Sequence, residues 1–354
     1  MSKTLESTDQ IQPKPVSLNR YLKAPATYYC LQTADQIIHR FADGQLNVNS
    51  NQAITPFSQF PLFSITKTFT AIAIMQLVET GELQLDDELA SYLPIYSKFG
   101  RISVRQLLSH QSGLNNPLPL SWVHLAEEDV DFDYQSFPSQ LLQTKGKIRS
   151  KPGVKAAYSN LNFLLLGELI EQISGFSYRQ YMEEQLLKDY PGIGFYWDDD
   201  QAVTGYHDAG FSGWLLGLLM DKSKYTAAKV DGLIPFKKLY LNGSAYGGLL
   251  VSPAALDHFL QDLLSGKVLN PISLDLMFEE QPLANGKSSG HSLGWFTGRC
   301  QEQPYCHHAG GGGGFYLELR IYPALGTASY VLTNKSGFSD QRLLDKIDPH
   351  FLSH

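Results

Sequence analysis

The sequence predicts an α/β fold of the α+β kind: one antiparallel sheet built from both chain ends, flanked by helices, with a mostly helical lobe inserted. Three observations carry this. Short extended runs stand near the start, at residues 27–32 and 36–41. Runs rich in aromatic and β-branched residues stand near the end, at residues 291–297, 315–322 and 328–334, as strands require. Between them the apolar positions change to helical spacing.

In chain order, residues 1–24 are polar and broken by Pro13 and Pro15, and read as a tail. Residues 27–32 and 36–41 read as two antiparallel strands, with Asp43-Gly44 as a hairpin signal. Ile72, Met75, Leu77 and Val78 then recur at helical spacing until Gly81 stops that helix. From about residue 83 to 245, helical runs at 103–110 and 160–174 alternate with Pro, Gly and Asn loops. Strands return after that, and a helix over about 339–351 closes the chain. The organisation expected is a tail at 1–24 and one domain at 25–354. Its α/β lobe takes about 25–82 and 246–354, and its helical lobe about 83–245.

A chain of 354 residues, 43% hydrophobic and 12% aromatic, has the material for a large buried core. Its net charge of −7, without a Lys/Arg cluster, argues against nucleic acid or an acidic membrane surface as partner. The apolar runs at 161–170 and 214–220 are too short or too polar to span a bilayer. No apolar export segment stands in the first 15 residues. The cytoplasm is therefore expected if Met1 is the native start, and the periplasm or the exterior if a leader has been removed.

Three cysteines, Cys30, Cys300 and Cys306, are too few for a disulfide framework, and the sequence leaves open whether the last two pair. Cys300 and Cys306 with His307 and His308 lack the usual zinc spacing, and adjacent histidines on a strand point to opposite faces. No metal and no cofactor is expected. The acidic triplet Asp198–Asp200 reads as solvated.

Ser64-Ile-Thr-Lys67 opens the first helix and places a hydroxyl and an amine one turn apart on one face. A serine hydroxyl needs a neighbour to take its proton, and lysine serves only when its pKa is depressed. A helix N-terminus and burial both depress it. The same N-terminal turn leaves backbone N–H groups free to receive an oxyanion. By itself the pair also fits a helix cap beside a solvated lysine.

Two further elements stand at suggestive places: Tyr158-Ser-Asn160 just before the helical run at 160–174, and His308-Ala-Gly310 at the start of a glycine run that leads into a strand. With Ser64-x-x-Lys67 they resemble the three motifs of the serine β-lactamase and penicillin-binding-protein superfamily, in its class C β-lactamase, esterase and DD-peptidase-like branch. The resemblance covers roughly residues 25–335. It extends to Gly81–Pro94, Ile102–Leu114, Gly167–Gly175 and Tyr246–Pro253. It implies a β-lactamase/transpeptidase-like fold and a serine hydrolase that forms an acyl-enzyme.

By that resemblance Ser64 is the nucleophile, and Lys67 and Tyr158 share the proton transfers: the lysine charge lowers the Tyr158 pKa, and Tyr158 serves as base in acylation and then activates water for deacylation. Asn160 orients Lys67 and the substrate amide. The N–H groups of Ser64 and Gly311 form the oxyanion hole. His308, Ala309 and Gly310 line the substrate, His308 standing where many relatives carry lysine. A histidine is mostly neutral at pH 7, which weakens carboxylate preference and tilts the expected substrate toward a neutral ester, amide or peptide. The plainer readings are a core aromatic for Tyr158, a helix cap for Asn160 and a packed strand histidine for His308. His110 matches a family position but reads as a hydrogen-bonded loop histidine. The aromatic segment at about 195–240 has no clear counterpart and is expected to shape the pocket. Two alternatives stand beside the esterase or peptidase reading: a true β-lactamase or DD-peptidase, and a non-catalytic binding or assembly protein. The oligomeric state is not legible.

Overall fold

The computed structural model describes residues 24–117, 122–209, 221–336 and 342–352. All but the last residue of the 1–24 tail, and the apolar run at 214–220, lie outside the described residues.

Six strands form the main sheet: β1 (Ala26–Thr33), β2 (Ile37–Gly44), β3 (Phe296–Cys300), β4 (Gln303–Gly312), β5 (Phe315–Tyr322) and β6 (Thr327–Thr333). Their spatial order is β3-β4-β5-β6-β1-β2, antiparallel throughout. The N-terminal hairpin thus docks on the C-terminal meander through pairs such as Tyr29↔Val331. Every residue of β5 and β6 is buried, because both sheet faces are covered. Helices α1 (Thr66–Glu79), α2 (Val104–Leu108), α3 (Asn160–Ser174) and α4 (Pro253–Leu264) contribute to the large core cluster that includes Tyr28, Leu317, Leu319 and Leu332 of the sheet. A separate cluster seats Leu344 and Ile347, from the helical turn Leu344–Ile347, on Tyr29, Leu31 and Val331.

Helix α1 is buried at every position from Thr66 to Met75. Its buried hydroxyls are satisfied: Thr68 Oγ1 donates to the Ile65 carbonyl at 2.8 Å and Thr70 Oγ1 to that of Ala245 at 2.7 Å. Over that span the helix has no solvent face, so it fixes whatever stands at its N-terminus.

Four expectations change. The first hairpin turns at Thr33–Gln36, where Thr33 Oγ1 accepts from the N–H groups of Asp35 and Gln36, and not at Asp43-Gly44. Gly44 instead ends β2 at φ +103°, where a Cβ would lie 2.0 Å from the Pro25 carbonyl oxygen. Residues 291–295 are a turn, with the Ser292 N–H on the Trp295 carbonyl and Gly294 at φ +89° against Ala71 of α1, so β3 begins only at Phe296. The region expected to be helical to 245 changes character near 190. Short strands Ile193–Gly194, Tyr206–Asp208, Leu233–Pro235 and Leu239–Leu241 follow, since its aromatic, Pro and Asp residues keep no 3.6 period. The closing helix shrinks to Leu344–Ile347 and a 3-10 turn at Asp348–His350, where Pro349 lacks the N–H that a longer helix needs. Residues 339–341 of that expected helix lie outside the described residues.

Candidate active site

The short strand Phe60–Pro61 pairs with Leu250–Val251 and delivers the chain to a 3-10 turn, Phe63–Ile65, that runs into α1. Phe63 is held at φ +46°, a left-handed conformation that costs a non-glycine residue about 1 kcal/mol or more. Its ring packs 6.2 Å from that of Phe315, which anchors the turn to the sheet. Ser64 follows, half-buried.

Lys67 is fully buried one turn later. Its Nζ lies 3.1 Å from Ser64 Oγ and donates to the Tyr246 carbonyl at 2.8 Å. The rings of Tyr158, Tyr246 and Phe163 surround it at 5.0, 5.4 and 5.7 Å. Burial alone holds its pKa well below the usual lysine value. An uncharged amine with a free lone pair is the form this setting favours.

Tyr158 comes from the loop before α3, and its hydroxyl donates to Ser64 Oγ at 2.9 Å. One oxygen therefore sits within hydrogen-bond reach of both an amine and a phenol, the latter 94 positions away in sequence. The expected lowering of the Tyr158 pKa is not found. Burial pushes it up to about 12, outweighing the opposing hydrogen bond with Ser64.

Asn160 is the first residue of α3, but the cap is Ser159, whose Oγ accepts from the Leu161 N–H at 3.2 Å. Asn160 is not among the hydrogen-bond partners of Lys67. The Tyr246 carbonyl fills that place. The Asn160 N–H donates to Asn116 Oδ1 at 3.1 Å, and its own Oδ1 is buried without a partner among the described residues.

The glycine run supplies the opposite wall. β3 pairs with β4 only as far as Phe296↔His307, so from His308 to Gly312 the strand pairs with β5 alone and its other edge is open. Gly310 presses on the approach to Ser64: a Cβ there would stand 2.2 Å from the Leu62 carbonyl oxygen. Ala309 is half-buried, and Gly311 is exposed beside it. The His308 ring lies 6.2 Å from that of Tyr158 and 5.3 Å from that of Phe296. Burial, then the neighbouring Lys67, holds its pKa well below the usual histidine value. Its Nδ1 donates to the Ala309 carbonyl at 2.9 Å, which leaves Nε2 as an acceptor, buried and unpartnered among the described residues.

Ser64, Lys67, Tyr158 and His308 thus converge, and Gly310 touches the same turn. Sequence reasoning missed Tyr246, which contributes a backbone carbonyl and so leaves no side-chain signal. It also missed Phe163 and Phe296, whose spacing reads only as core. Cys300 and Cys306 are free and buried. Among the described residues no cluster of three or more His, Cys, Asp or Glu is placed to hold a metal ion, and no helix is long and apolar enough to cross a membrane.

A family model described as Beta-lactamase matches residues 20–349. The putative penicillin-binding protein PbpX of Bacillus subtilis (strain 168) is 26% identical over 242 residues, 61% of this chain and 58% of that protein. A D-aminopeptidase of Brucella anthropi is 30% identical over 172 residues, 49% of this chain and 32% of that protein. The chain thus spans less than two thirds of the length of either relative. Among solved structures, a D-amino acid amidase from Ochrobactrum anthropi SV3 complexed with L-phenylalanine superposes with a TM-score of 0.77. The two are 20% identical, with 94% of each chain covered.

Proposed function

This chain belongs to the Beta-lactamase family, and from that premise we propose that it is a serine hydrolase that cleaves an ester or amide through an acyl-enzyme on Ser64. The observation that carries the reading is the placement of Ser64 Oγ 3.1 Å from Lys67 Nζ and 2.9 Å from the Tyr158 hydroxyl.

In acylation the uncharged Lys67 takes the Ser64 proton as Oγ bonds to the substrate carbonyl carbon. The oxyanion so formed is received by the N–H groups of Ser64 and Gly311. When the bond to the leaving group breaks, that group takes a proton from the Tyr158 hydroxyl, and the phenolate recovers one from the Lys67 ammonium. A phenol that holds its proton suits this donor role better than the base role. Water then attacks the ester by the same transfers in reverse, releasing the acid and freeing Ser64.

The electrostatics favour a substrate that is neutral beside the scissile bond. His308 brings no fixed positive charge to a carboxylate, and its Nε2 lone pair suits an N–H or O–H of the substrate. The relatives named D-aminopeptidase and D-amino acid amidase bring amides of D-amino acids within this proposal.

A fluorophosphonate is expected to label wild-type protein and not Ser64→Ala. Rates on a short-chain nitrophenyl ester and a D-amino acid amide are expected to exceed those on a chromogenic cephalosporin and a peptide ending in two D-alanines. Folded wild-type protein that takes no label would sink the hydrolase reading and favour a binding protein.

A further inference from the structure

His110 lies beside this machinery and has no part in the proton transfers above, yet its bonds converge on Tyr158. Its backbone is left-handed, at φ +55°. Its carbonyl accepts the Ala157 N–H at 2.8 Å, and its Nδ1 accepts the Ser159 N–H at 3.2 Å. Those two donors are the residues on either side of Tyr158. One residue therefore grips both peptide neighbours of the phenol, once with its main chain and once with its ring.

The ring is itself held in one state. Asn162 Nδ2 donates to the same Nδ1 at 3.0 Å, and Asn162 Oδ1 accepts from Ser112 Oγ at 2.6 Å. Two N–H groups aimed at Nδ1 require a lone pair there, so the ring proton sits on Nε2. The imidazole lies 4.7 Å from the Tyr158 ring and 5.4 Å from that of Phe163 on α3. Burial holds its pKa well below the usual histidine value, and Lys67, His291 and His308 are the titratable groups that face it.

We propose that His110 is a positioning residue for the hydrolytic reaction: its carbonyl and Nδ1 clamp residues 157 and 159 and so set the 2.9 Å approach of the Tyr158 hydroxyl to Ser64. This role rests on the hydrolase reading above. It touches no reacting atom and acts only through the phenol. A clamp of this kind governs rate rather than affinity, because misplacing a proton donor raises the barrier without altering how substrate is held.

Two replacements separate the clamp from the fold. Asparagine tolerates the left-handed backbone and puts an acceptor oxygen where Nδ1 stands; glycine tolerates the backbone and keeps the carbonyl but supplies no side-chain acceptor. Fluorophosphonate labelling and nitrophenyl ester kinetics are to be measured on wild type, His110→Asn and His110→Gly, each with Tyr158 and with Tyr158→Phe. His110→Gly is expected to lower kcat roughly tenfold or more at little change in KM. His110→Asn is expected to restore the rate to within about threefold of wild type. With Tyr158→Phe, His110→Gly is expected to add less than about a twofold loss.

An equal loss from His110→Gly in both backgrounds would overturn the proposal, as would a His110→Gly variant as fast as wild type. Should His110→Gly not fold, a folded His110→Asn variant slower than roughly one tenth of wild type overturns it instead. Wild-type protein that neither labels nor turns over ester removes the hydrolase reading itself, a result distinct from normal labelling in every variant.

Discussion

Lys67 Nζ stands 3.1 Å from Ser64 Oγ in full burial, and its pKa is depressed by desolvation alone. The amine is poised to accept a proton because no carboxylate among the described residues pairs with it to hold one. From this relationship the pH behaviour follows.

The kcat/KM for a nitrophenyl ester is expected to rise with pH through one ionisation lying well below the usual lysine value, as Lys67 loses its proton. Tyr158 keeps its own proton until about 12, so no falling limb is expected from it across the accessible alkaline range. A profile falling through pH 8 to 10, after correction for spontaneous hydrolysis, would show that the protonated lysine is the active form.

The same burial opposes stability at neutral pH. The folded protein favours the uncharged amine, whereas an unfolded lysine holds its proton to about pH 10.4. Between the depressed value and the unfolded one the unfolded chain binds more protons, so stability rises with pH through that window. Lys67→Met is expected to remove this slope and to stabilise the fold at pH 7 by on the order of 1 kcal/mol, while abolishing turnover. Calorimetry on Ser64→Ala and Lys67→Met side by side tests this, and a lower melting temperature for Lys67→Met would contradict it.

Tyr158→Phe keeps the ring and removes the donor. Ester turnover is expected to fall roughly 100- to 10,000-fold, the range for losing a positioned proton donor, with little change in stability. Loss of the same size from a variant whose melting temperature also collapses would assign Tyr158 to packing instead.

Gly310→Ala would set a methyl group 2.2 Å from the Leu62 carbonyl oxygen. Backbone cannot yield there as a side chain would, so β4 must move away from the Ser64 turn. An activity loss of about 100-fold is expected, in keeping with a displacement near 1 Å at the reacting centre. Gly311→Ala, where a Cβ meets nothing nearer than 3.6 Å, is expected to fold normally, and comparing the two isolates the contact at Gly310.

Away from the site, Arg320 is fully buried and pairs with Glu318 at 2.6 Å and Asp345 at 2.7 Å. Glu318 also accepts the Leu344 N–H at 3.2 Å, tying the C-terminal helical turn to the sheet. Arg320→Met leaves Glu318 buried without its cation and is expected to cost about 3–5 kcal/mol, measurable by urea titration. A cost below about 1 kcal/mol would mean that Glu318 is neutral in the fold.

Elements whose pattern is local were legible in the order of residues alone. Helix α3 runs over 160–174 as its spacing indicated, β5 over 315–322, and α1 stops short of Gly81, because periodicity, caps and left-handed glycines act within a few residues. That order also singled out Ser64, Lys67, Tyr158 and His308, since their chemistry stands in ordered motifs. The tertiary structure alone decided what depends on neighbours distant in sequence. The late start of β3 answers to the packing of Gly294 against Ala71 of α1. The Tyr246 carbonyl replaced Asn160 as the partner of Lys67, a backbone atom that no motif records. The protonation of Tyr158 followed from how deeply the fold buries it and its lysine neighbour, and desolvation is a property of the assembled core, not of the string of residues.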